Sequence, residues 1–542
     1  MLLLGSAVSA ALVAGCASAG FPDVVDTREV STTFGPPSLG RVRDAGAVRL
    51  PQSGAWKGEP DGVAGPGELL ILEGENFGRL PTVSIGGRAT AVVARTEGGG
   101  IVARVPTGVP VGSVPIVVST PKGRSEKTFL MRRFAVVAHG GQLFFLRVDK
   151  DRAELVGKPL PVPGARLVRI SGDGAAAYTI ANRVDGDHLV AIDLCAPGGP
   201  RIASEKKLAH HGALLTTAMD GSVAAVVGDG EITIVSTRDA RQPALFEPMD
   251  LPMGAKAPRA VELSPDGKLL AVLVADGNRL VALDVSSPPN SQVVTSVELL
   301  PDQKLPLVRD LAFASDGETL WIVSGNNERS LPALQPTRLT AVRILPQEKL
   351  DAAKSATPEK PDDATPKKNA RLLSLWRTQS VPGAAAPLRI AIARGQPLAS
   401  GTTIRLPPDK AAVFVSSVND ALFKLADVDL GTTAAAKTVA KLWRPPQPGI
   451  LVRADINGGG GPLFTTAEIL SALDLTPDAQ LLVATAARVS PVPATGAVVL
   501  DYGVTFAPIW GATITPVFLP LEKLNAAELK PPFLLGDLRI QP

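Results

Sequence analysis

The chain has 542 residues, more than one hydrophobic core usually serves, which predicts two or more domains or one large repeat architecture. Apolar residues make up 45% and charged residues 20%, and the 52 glycines and 49 prolines indicate many turns between short strands. We therefore expect a mostly β protein. The formal net charge is only +3, with basic and acidic residues interleaved, which argues against nucleic acid as a partner.

The chain begins with an apolar run, MLLLGSAVSAALVAGC, that is too short for a transmembrane helix and is typical of a secretory signal. The end of this run resembles the lipobox of bacterial lipoproteins, in which an aliphatic residue and two small residues precede a cysteine. The matching residues are Val13, Ala14, Gly15 and Cys16. The resemblance implies that residues 1–15 are removed and that Cys16 becomes a lipidated N-terminus, since two or three acyl chains anchor a protein stably.

No Lys or Arg precedes the apolar run, and here the chain departs from the lipoprotein pattern. An ordinary secretion signal with a chance cysteine is the alternative. Ala17 stands where some lipoproteins carry an aspartate retention signal, so the resemblance favours the outer membrane. We expect a bacterial envelope protein that is attached to the membrane by its N-terminal lipid and has no transmembrane helix in the mature chain.

Residues 16–64 are rich in proline, glycine and mixed charge without a sustained period, which predicts a flexible tether. If lipid occupies Cys16, the second cysteine, Cys195, has no partner for an intramolecular disulfide. Its setting, HLVAIDLCAP, is typical of the end of a buried strand and predicts an inert thiol.

Residues 65–133 show short alternating apolar runs separated by glycine and proline turns, as at Val83 and Ile85, and predict a small β-sandwich. Four motifs resemble the IPT/TIG family of immunoglobulin-like domains. They are GENFG at 74–78, IGG at 85–87, VPTG at 105–108 and GSVPIVVSTPKG at 112–123. Domains of this family mostly serve as spacers or interaction modules, so the resemblance implies no catalytic residue.

Residues 134–542 contain a repeat in which an apolar strand, an Asp-Gly turn, a second strand, a polar turn and a third strand follow one another. The turn pairs are Asp173 and Gly174, Asp220 and Gly221, Asp266 and Gly267, and Asp316 and Gly317. Successive pairs are 46 to 50 residues apart. Asp-Gly between alternating strands predicts a hairpin, and a period near 45 residues with about four strands per unit is typical of a propeller blade.

The repeat resembles the WD40-like and YVTN-type β-propellers of exported bacterial proteins, in which SPDG recurs at this turn. SPDG stands at 264–267 and ASDG at 314–317, and two degraded copies follow at Asp409 and Asp478, which makes six turns. A seventh unit is split, because FAVVAHGGQLFFLRVD lacks a preceding strand that the C-terminal GATITPVFLPLEKL could supply. We therefore expect an all-β chain in which an immunoglobulin-like sandwich precedes a seven-bladed propeller closed by the chain ends, with six or eight blades as alternatives.

Residues 346–371 interrupt the repeat with alanine, proline and charge and contain no aromatic residue. This composition predicts a disordered surface loop, and a docking loop for a partner is the alternative.

The sequence carries no motif for a catalytic, metal or cofactor site. The four histidines, His139, His188, His210 and His211, have no spacing that would converge on a metal ion, and the adjacent pair is typical of a surface turn. No nucleophile elbow or phosphate-binding loop is present. The aspartates of the Asp-Gly pairs recur because hairpins need them, so we interpret them as structural.

Two functions from different classes remain. The favoured one is a non-enzymatic, lipid-anchored envelope protein that offers a propeller face to a protein partner, with the sandwich as spacer or second contact. The alternative is a propeller enzyme, a lactonase-like hydrolase or a dehydrogenase-like oxidoreductase, with a site in the central funnel. Fold alone does not decide between them, because propellers host many functions.

Overall fold

A computed structural model describes most of the chain from residue 35 onward. The described residues are 35–45, 62–149, 151–196, 199–228, 230–251, 257–275, 278–288, 291–299, 308–314, 317, 319–325, 338–344, 373–380, 386–392, 396–397, 403–404, 412–418, 449–455, 459–477, 480–491, 498–509, 514–523 and 536–542. These parts are all-β. The described residues form two compact units, one from those within 1–131 and 195–199 and the other from those within 132–194 and 200–542.

Within its described residues, the first unit is a β-sandwich of nine strands. They are β1 (Ser38–Asp44), β2 (Val63–Ala64), β3 (Leu69–Glu75), β4 (Thr82–Ile85), β5 (Arg88–Thr90), β6 (Val92–Arg95), β7 (Ile101–Arg104), β8 (Gly112–Thr120) and β9 (Gly123–Met131). One sheet has the order β1-β3-β7-β6 and the other the order β2-β9-β8-β4-β5.

Alternating side chains of the two sheets form the core of the sandwich. Leu70 and Leu72 of the first sheet pack with Val83, Ile85 and Ile116 of the second in one buried cluster. The predicted alternation at Val83 and Ile85 is confirmed, since both are buried while their neighbours in β4 are not. This is the packing by which two antiparallel sheets bury one face each.

The structure differs from the sequence prediction in the segment expected to be a tether. Ser38–Asp44 forms strand β1, which pairs antiparallel with β3 at the edge of the first sheet. A register shift between Leu39 and Arg41 breaks the period-two pattern of the strand, which explains why its sequence shows no sustained alternation.

The second unit is a β-propeller of seven blades. Blade 1 contains β10 (Phe134–His139), β11 (Gln142–Val148), β12 (Ala153–Leu155) and β13 (Leu160–Pro161). Blade 2 contains β14 (Ala165–Ile170), β15 (Ala176–Arg183), β16 (Gly186–Asp193) and β17 (Arg201–Lys207). Blade 3 contains β18 (Leu214–Thr217), β19 (Val223–Gly228), β20 (Glu231–Ser236), β21 (Ala244–Leu245) and β22 (Met249–Asp250). Blade 4 contains β23 (Pro258–Leu263), β24 (Leu269–Val274), β25 (Arg279–Asp284) and β26 (Gln292–Glu298).

The remaining blades follow the same antiparallel order. Blade 5 contains β27 (Val308–Phe313), β28 (Thr319–Ser324), β29 (Arg338–Ile344) and β30 (Leu373–Ser380). Blade 6 contains β31 (Ala386–Ile392), β34 (Ala412–Val418), β35 (Gly449–Asp455) and β36 (Gly459–Thr466). In the sequence, β31 and β34 are separated by a small two-stranded ribbon, β32 (Gln396–Pro397) and β33 (Thr403–Ile404). Blade 7 contains β37 (Glu468–Leu475), β38 (Leu481–Pro491), β39 (Val498–Pro508) and β40 (Val517–Lys523), and the last strand of the chain is β41 (Asp537–Ile540).

Strand β41 closes the propeller. It pairs antiparallel with β10 and becomes the innermost strand of blade 1. The innermost strands β41, β14, β18, β23, β27, β31 and β37 then contact one another in that order, and β37 contacts β41 again, so the ring is complete. The seven-bladed propeller closed by the chain ends is confirmed.

The closing segment itself was predicted wrongly. The segment GATITPVFLPLEKL contains β40, which is the outermost strand of blade 7, and the closing strand is the later DLRI. Gln541 completes the closure, because its Oε1 accepts from Phe134 N at 2.7 Å and its Nε2 donates to Gly174 O at 2.7 Å. One side chain at the end of the chain thus ties the start of blade 1 to the first turn of blade 2.

Apolar side chains between neighbouring blades form the cores of the propeller. Leu273 of blade 4 packs with Leu320 and Ile322 of blade 5, and Phe144 of blade 1 packs with Val504 of blade 7. Each blade therefore depends on its two neighbours for burial, as expected of a closed radial array. Residues 346–371, predicted to be a disordered loop, lie outside the described residues.

We predict that the closing strand contributes strongly to the stability of the propeller. Leu538 in β41 is fully buried, so Leu538→Ala leaves a cavity at the seam and should lower the free energy of unfolding by about 2–5 kcal/mol. The matched variant is Val517→Ala in β40, where the side chain is 47% exposed and the expected loss is below about 0.5 kcal/mol. Urea unfolding of both variants measures this difference, and equal losses would show that the seam is not part of the cooperative ring.

Candidate functional site

The structure places the described turn residues where the first strand of a blade turns into the second. Gly174, Gly221, Gly267 and Gly317 all have positive φ, between 68° and 80°. An L residue rarely adopts this conformation, which explains the recurrence of glycine at this position. The lipobox residues Val13, Ala14, Gly15 and Cys16 lie outside the described residues, as does Asp316.

The aspartates of these turns hold the turn together. Asp173 Oδ1 accepts from Ser171 Oγ at 2.7 Å and from Ala175 N at 3.0 Å. The same arrangement recurs in blade 4, where Asp266 Oδ1 accepts from Ser264 Oγ at 2.6 Å and from Lys268 N at 3.2 Å. These bonds are local Asx-type contacts, and they commit the carboxylates to structure.

Neighbouring Asp-Gly turns also pack against one another on what we call the turn face. A β-carbon on Gly172 would lie 2.2 Å from the Met219 carbonyl oxygen, so the backbones of the blade 2 and blade 3 turns are in close contact. The next turn continues the series, because Asp220 N donates to Pro265 O at 3.1 Å. The turn face between blades 2 and 4 is therefore a closely packed backbone surface.

A cluster of charged side chains occupies the axis of the propeller. Arg539 lies on β41, and its guanidinium interacts with the carboxylates of Asp537, Asp474, Glu262 and Asp310. Glu262 and Asp310 belong to blades 4 and 5, across the ring from blade 1, so the guanidinium lies at the axis. Desolvation lowers the pKa of Arg539, but the four carboxylates raise it, and the net pKa is above its ordinary value.

Four polar side chains of the innermost strands also accept hydrogen bonds from the backbone of the next blade. The pairs, acceptor first, are Asp537 Oδ2 with Val168 N at 3.1 Å, Asp474 Oδ2 with Ile540 N at 2.9 Å, Asp310 Oδ2 with Ile390 N at 3.0 Å and Thr216 Oγ1 with Leu263 N at 3.2 Å. Asp537 additionally accepts from Arg169 Nη1 at 2.5 Å. The axial carboxylates thus hold neighbouring blades together.

Sequence reasoning missed this axial cluster. Its members come from short strands that are far apart in the chain, and only the register of the ring brings Arg539 to Glu262. The available signal was a charged residue among apolar ones in several first strands, as in VEL, RDL, ALDL and LRI. A charge that alternates with buried residues on an innermost strand points into the channel of a propeller.

A second polar cluster lies on the opposite face, which carries the turns between second and third strands and the connections from blade to blade. We call it the connection face. Asp187, with 1% of its side chain exposed, accepts there from Arg166 Nη2 at 2.6 Å, and His211 Nδ1 lies 2.8 Å from the same carboxylate oxygen. Asn182 Nδ2 and Gly212 N donate to the same carboxylate at 2.7 and 2.9 Å.

The environment of Asp187 keeps its carboxyl ionised. Desolvation by burial raises the pKa, but the hydrogen bonds from Asn182 and Gly212 and the positive charges of Arg166 and His211 lower it, and the net pKa lies below the ordinary value. The expected surface pair of histidines is only half correct. His211 is 42% exposed, whereas His210 is buried and its Nε2 contacts Thr233 Oγ1 at 2.9 Å.

The connection face also carries a contact at the closing seam. His139 ends β10 in blade 1, stacks on Tyr502 of blade 7 with ring centroids 3.7 Å apart, and bonds through Nδ1 to Glu522 of β40. These three residues join the first and last blades, so this histidine has a structural role.

Within the described ranges, no group of three or more His, Cys, Asp or Glu side chains lies in an arrangement that could hold a metal ion. Cys195 is buried, as predicted for an inert thiol. In the sandwich, a shallow cavity of about 420 Å³ lies beside the Arg43 and Glu73 ion pair and the 96–100 turn. No helix within the described residues is long and apolar enough to cross a membrane.

Comparison with known proteins identifies no family for this chain. No family model matches the chain, and no curated protein matches it. Solved structures that it resembles include a putative 6-phosphogluconolactonase from Bacteroides fragilis, with 12% identity and a TM-score of 0.44 over 76% of this chain and 98% of that one. Another is the periplasmic gluconolactonase of Pseudomonas aeruginosa, with 10% identity and a TM-score of 0.42 over 76% and 99%. A third is the hydrazine synthase of Kuenenia stuttgartiensis, with 12% identity and a TM-score of 0.39 over 64% and 77%.

We predict that the axial pair of Asp537 and Arg169 matters far more for stability than an exposed pair. Asp537→Ala removes the buried carboxylate to which Arg169 Nη1 and Val168 N both donate, and it should lower the free energy of unfolding by about 3–5 kcal/mol. Asp501→Ala removes the partner of Lys523, which is 76% exposed, and should cost less than about 1 kcal/mol. Chemical unfolding of the two variants makes the comparison, and a small loss for Asp537→Ala would contradict the assigned role of the axis.

We predict a pH-dependent contribution from Asp187. Its pKa is lower in the folded protein than the unfolded value of about 3.9, so its stabilisation is complete above that pH and is lost as the pH falls through the folded pKa. Asp187→Asn should therefore be less stable than the natural protein near neutral pH, and the difference should shrink below about pH 4. Urea unfolding across this range tests the sign, and a difference that stays constant with pH would contradict it.

Proposed function

We propose that this protein is a lipid-anchored protein of the bacterial envelope that holds a protein partner on a face of its propeller and has no enzymatic activity. The observation that carries the proposal is the hydrogen bonding of the carboxylates at the propeller axis. Asp537, Asp474 and Asp310 each accept a hydrogen bond from the neighbouring blade, so they stabilise the ring. Loops on a rigid scaffold are then the surfaces left for recognition, and these are the surfaces that propellers commonly use for binding.

The N-terminal sequence supports the location. Val13, Ala14, Gly15 and Cys16 fit a lipobox after an apolar run, and residues between them and the folded units would let the protein work at a distance from its lipid. The resemblance of residues 65–133 to IPT/TIG domains supports a spacer or a second contact for the partner. A protein that is placed at the outer membrane and built from two β units fits a scaffolding role.

The alternative from the sequence was a propeller enzyme with its site in the central funnel. Such a site needs several carboxylates or amides that are open to a substrate or an ion. The described axial carboxylates instead accept backbone N–H groups or pair with Arg169 and Arg539. This engagement is why we prefer binding over catalysis.

The first experiment separates the anchor from an ordinary secretion signal. We predict that the full chain, expressed in a bacterium with an outer membrane, takes up labelled palmitate and fractionates with membranes. Cys16→Ala should lose the label and become soluble or remain unprocessed. The chain offers a matched control in Cys195→Ala, which removes its other cysteine and should behave like the natural protein.

Co-purification from detergent-solubilised envelopes tests the partner. A protein that is recovered in stoichiometric amount with the natural chain, and is lost from the membrane fraction with Cys16→Ala, supports the proposal. A chain that is soluble regardless of Cys16 and purifies alone with a bound ion or small molecule would overturn it and favour the enzyme.

A further inference from the structure

The hairpin formed by the second and third strands is longer in blade 7 than in the other blades. Strands β38 and β39 have 11 residues each, whereas the corresponding strands of the other six blades have 6 to 8. The pairing of β38 with β39 runs without a register shift from Leu481 and Pro508 to Pro491 and Val498. The last of these pairs belongs to the connection face, where second strands turn into third strands.

Both neighbouring strands stop before this hairpin does. The pairing of β37 with β38 ends at Arg488, and the pairing of β40 with β39 ends at Asp501. Residues 489–491 and 498–500 pair with each other, and no other described strand pairs with them. We call these six residues the blade 7 ribbon. At about 3.4 Å per residue, the ribbon extends the blade by about 10 Å.

Side-chain contacts fix the root of the blade 7 ribbon. Arg488 Nε donates to Glu468 Oε1 at 2.7 Å, and the Arg488 guanidinium carbon lies 4.2 Å from the centre of the Phe518 ring. On the other strand, Asp501 accepts from Lys523 Nζ at 2.8 Å. The root is thus tied to both neighbouring strands, β37 and β40. A partner that binds the ribbon meets a preformed element, which lowers the entropic cost of binding.

The register divides the ribbon into two faces. Ala487 and Tyr502 are opposite each other just before the ribbon, and both belong to the cluster that packs blade 7 against blade 1. Because successive residues of a strand alternate between faces, four ribbon residues share the face of this pair. They are Val489, Pro491, Val498 and Leu500. We call this the apolar face of the ribbon, and Ser490 and Val499 belong to the opposite face.

The backbone of the ribbon favours one side for a further strand. A two-stranded ribbon alone is only marginally stable in water, so pairing with a third strand stabilises it. On the β38 side, Pro491 has no N–H to donate to a ladder. On the β39 side, β40 ends opposite Asp501 and leaves Val498–Leu500 without a described neighbour. A third strand therefore fits best beside β39.

From this geometry we propose that the blade 7 ribbon binds an extended segment of the protein partner, which pairs with β39 at Val498–Leu500. The segment alternates apolar and polar side chains, because only one face of the ribbon is wholly apolar. Main-chain hydrogen bonds give such a complex its affinity, and alternate side chains give it specificity. The inference rests on the proposed binding function and assigns the partner to blade 7.

An array of short peptides that alternate Val, Ile or Leu with Ser or Thr tests the ribbon. Each peptide has a copy in which proline replaces every polar residue, so that the apolar residues are kept but a ladder cannot form. The full chain in lipid nanodiscs is the probe protein. We expect some parent peptides to bind at least about tenfold more tightly than their proline copies. Absence of binding, or equal binding of parents and copies, would overturn the proposal.

Two variants of adjacent residues locate the effect. Leu500→Asp places a charge on the apolar face and should weaken the parent peptides about tenfold, whereas Val499→Asp, on the opposite face, should change binding less than about twofold. Equal weakening by both variants contradicts the assigned face. Thermal unfolding should give the same midpoint for both variants. A clearly lower midpoint for Leu500→Asp would show that another part of the same chain covers the apolar face, and the proposal would fail.

Co-purification separates failure of the ribbon from failure of the proposed function. If the partner still co-purifies with Leu500→Asp in the natural yield, the binding function stands and the assignment to the ribbon is wrong. If no partner is found with any chain, the proposed function fails, and the peptide array still decides whether the ribbon accepts a third strand.

Discussion

Strand β41, the last of the chain, pairs with β10 of blade 1. The rest of the second unit depends on this pairing. Each blade buries its apolar faces only against its neighbours, so an open ring would expose two of them together with an unpaired strand edge. Four residues of β41 prevent this by pairing with β10, and Gln541 extends the closure to blade 2. The stability of seven blades therefore rests on a contact between residues about four hundred positions apart, as in the bond between Phe134 and Gln541.

Charge at the centre of the ring follows from this geometry. Seven first strands converge on the axis, and each leaves backbone N–H groups that need acceptors. Side chains such as Asp474 and Asp310 supply acceptors across several blade boundaries, and Arg539 offsets part of the resulting negative charge. Such a network stabilises less than apolar packing of the same volume would, but its directional bonds favour one register of the ring over others.

Local signals explain which features the sequence could predict. Asp-Gly turns and alternating strands are encoded within about 45 residues, so blade number and the turn roles of Asp173 and Asp266 could be predicted. The closing strand is four residues long and has no periodicity, and strand β1 is interrupted by a bulge, so neither strand could be predicted from the sequence. The role of Arg539 could not be predicted for a different reason, because its partners are defined only by the register of the closed ring.

The same limit explains why Asp187 and His211 could not be paired from the sequence. They lie in different blades, and an isolated acid after an exposed hairpin has no motif of its own. The structure gives this acid two roles that need not conflict. As an acceptor for Gly212 N it fastens blade 2 to the entry of blade 3, and as an acceptor for Arg166 Nη2 it holds that side chain in place. A buried carboxylate costs the fold little here, because hydrogen bonds from Asn182, Gly212 and Arg166 already satisfy its charge.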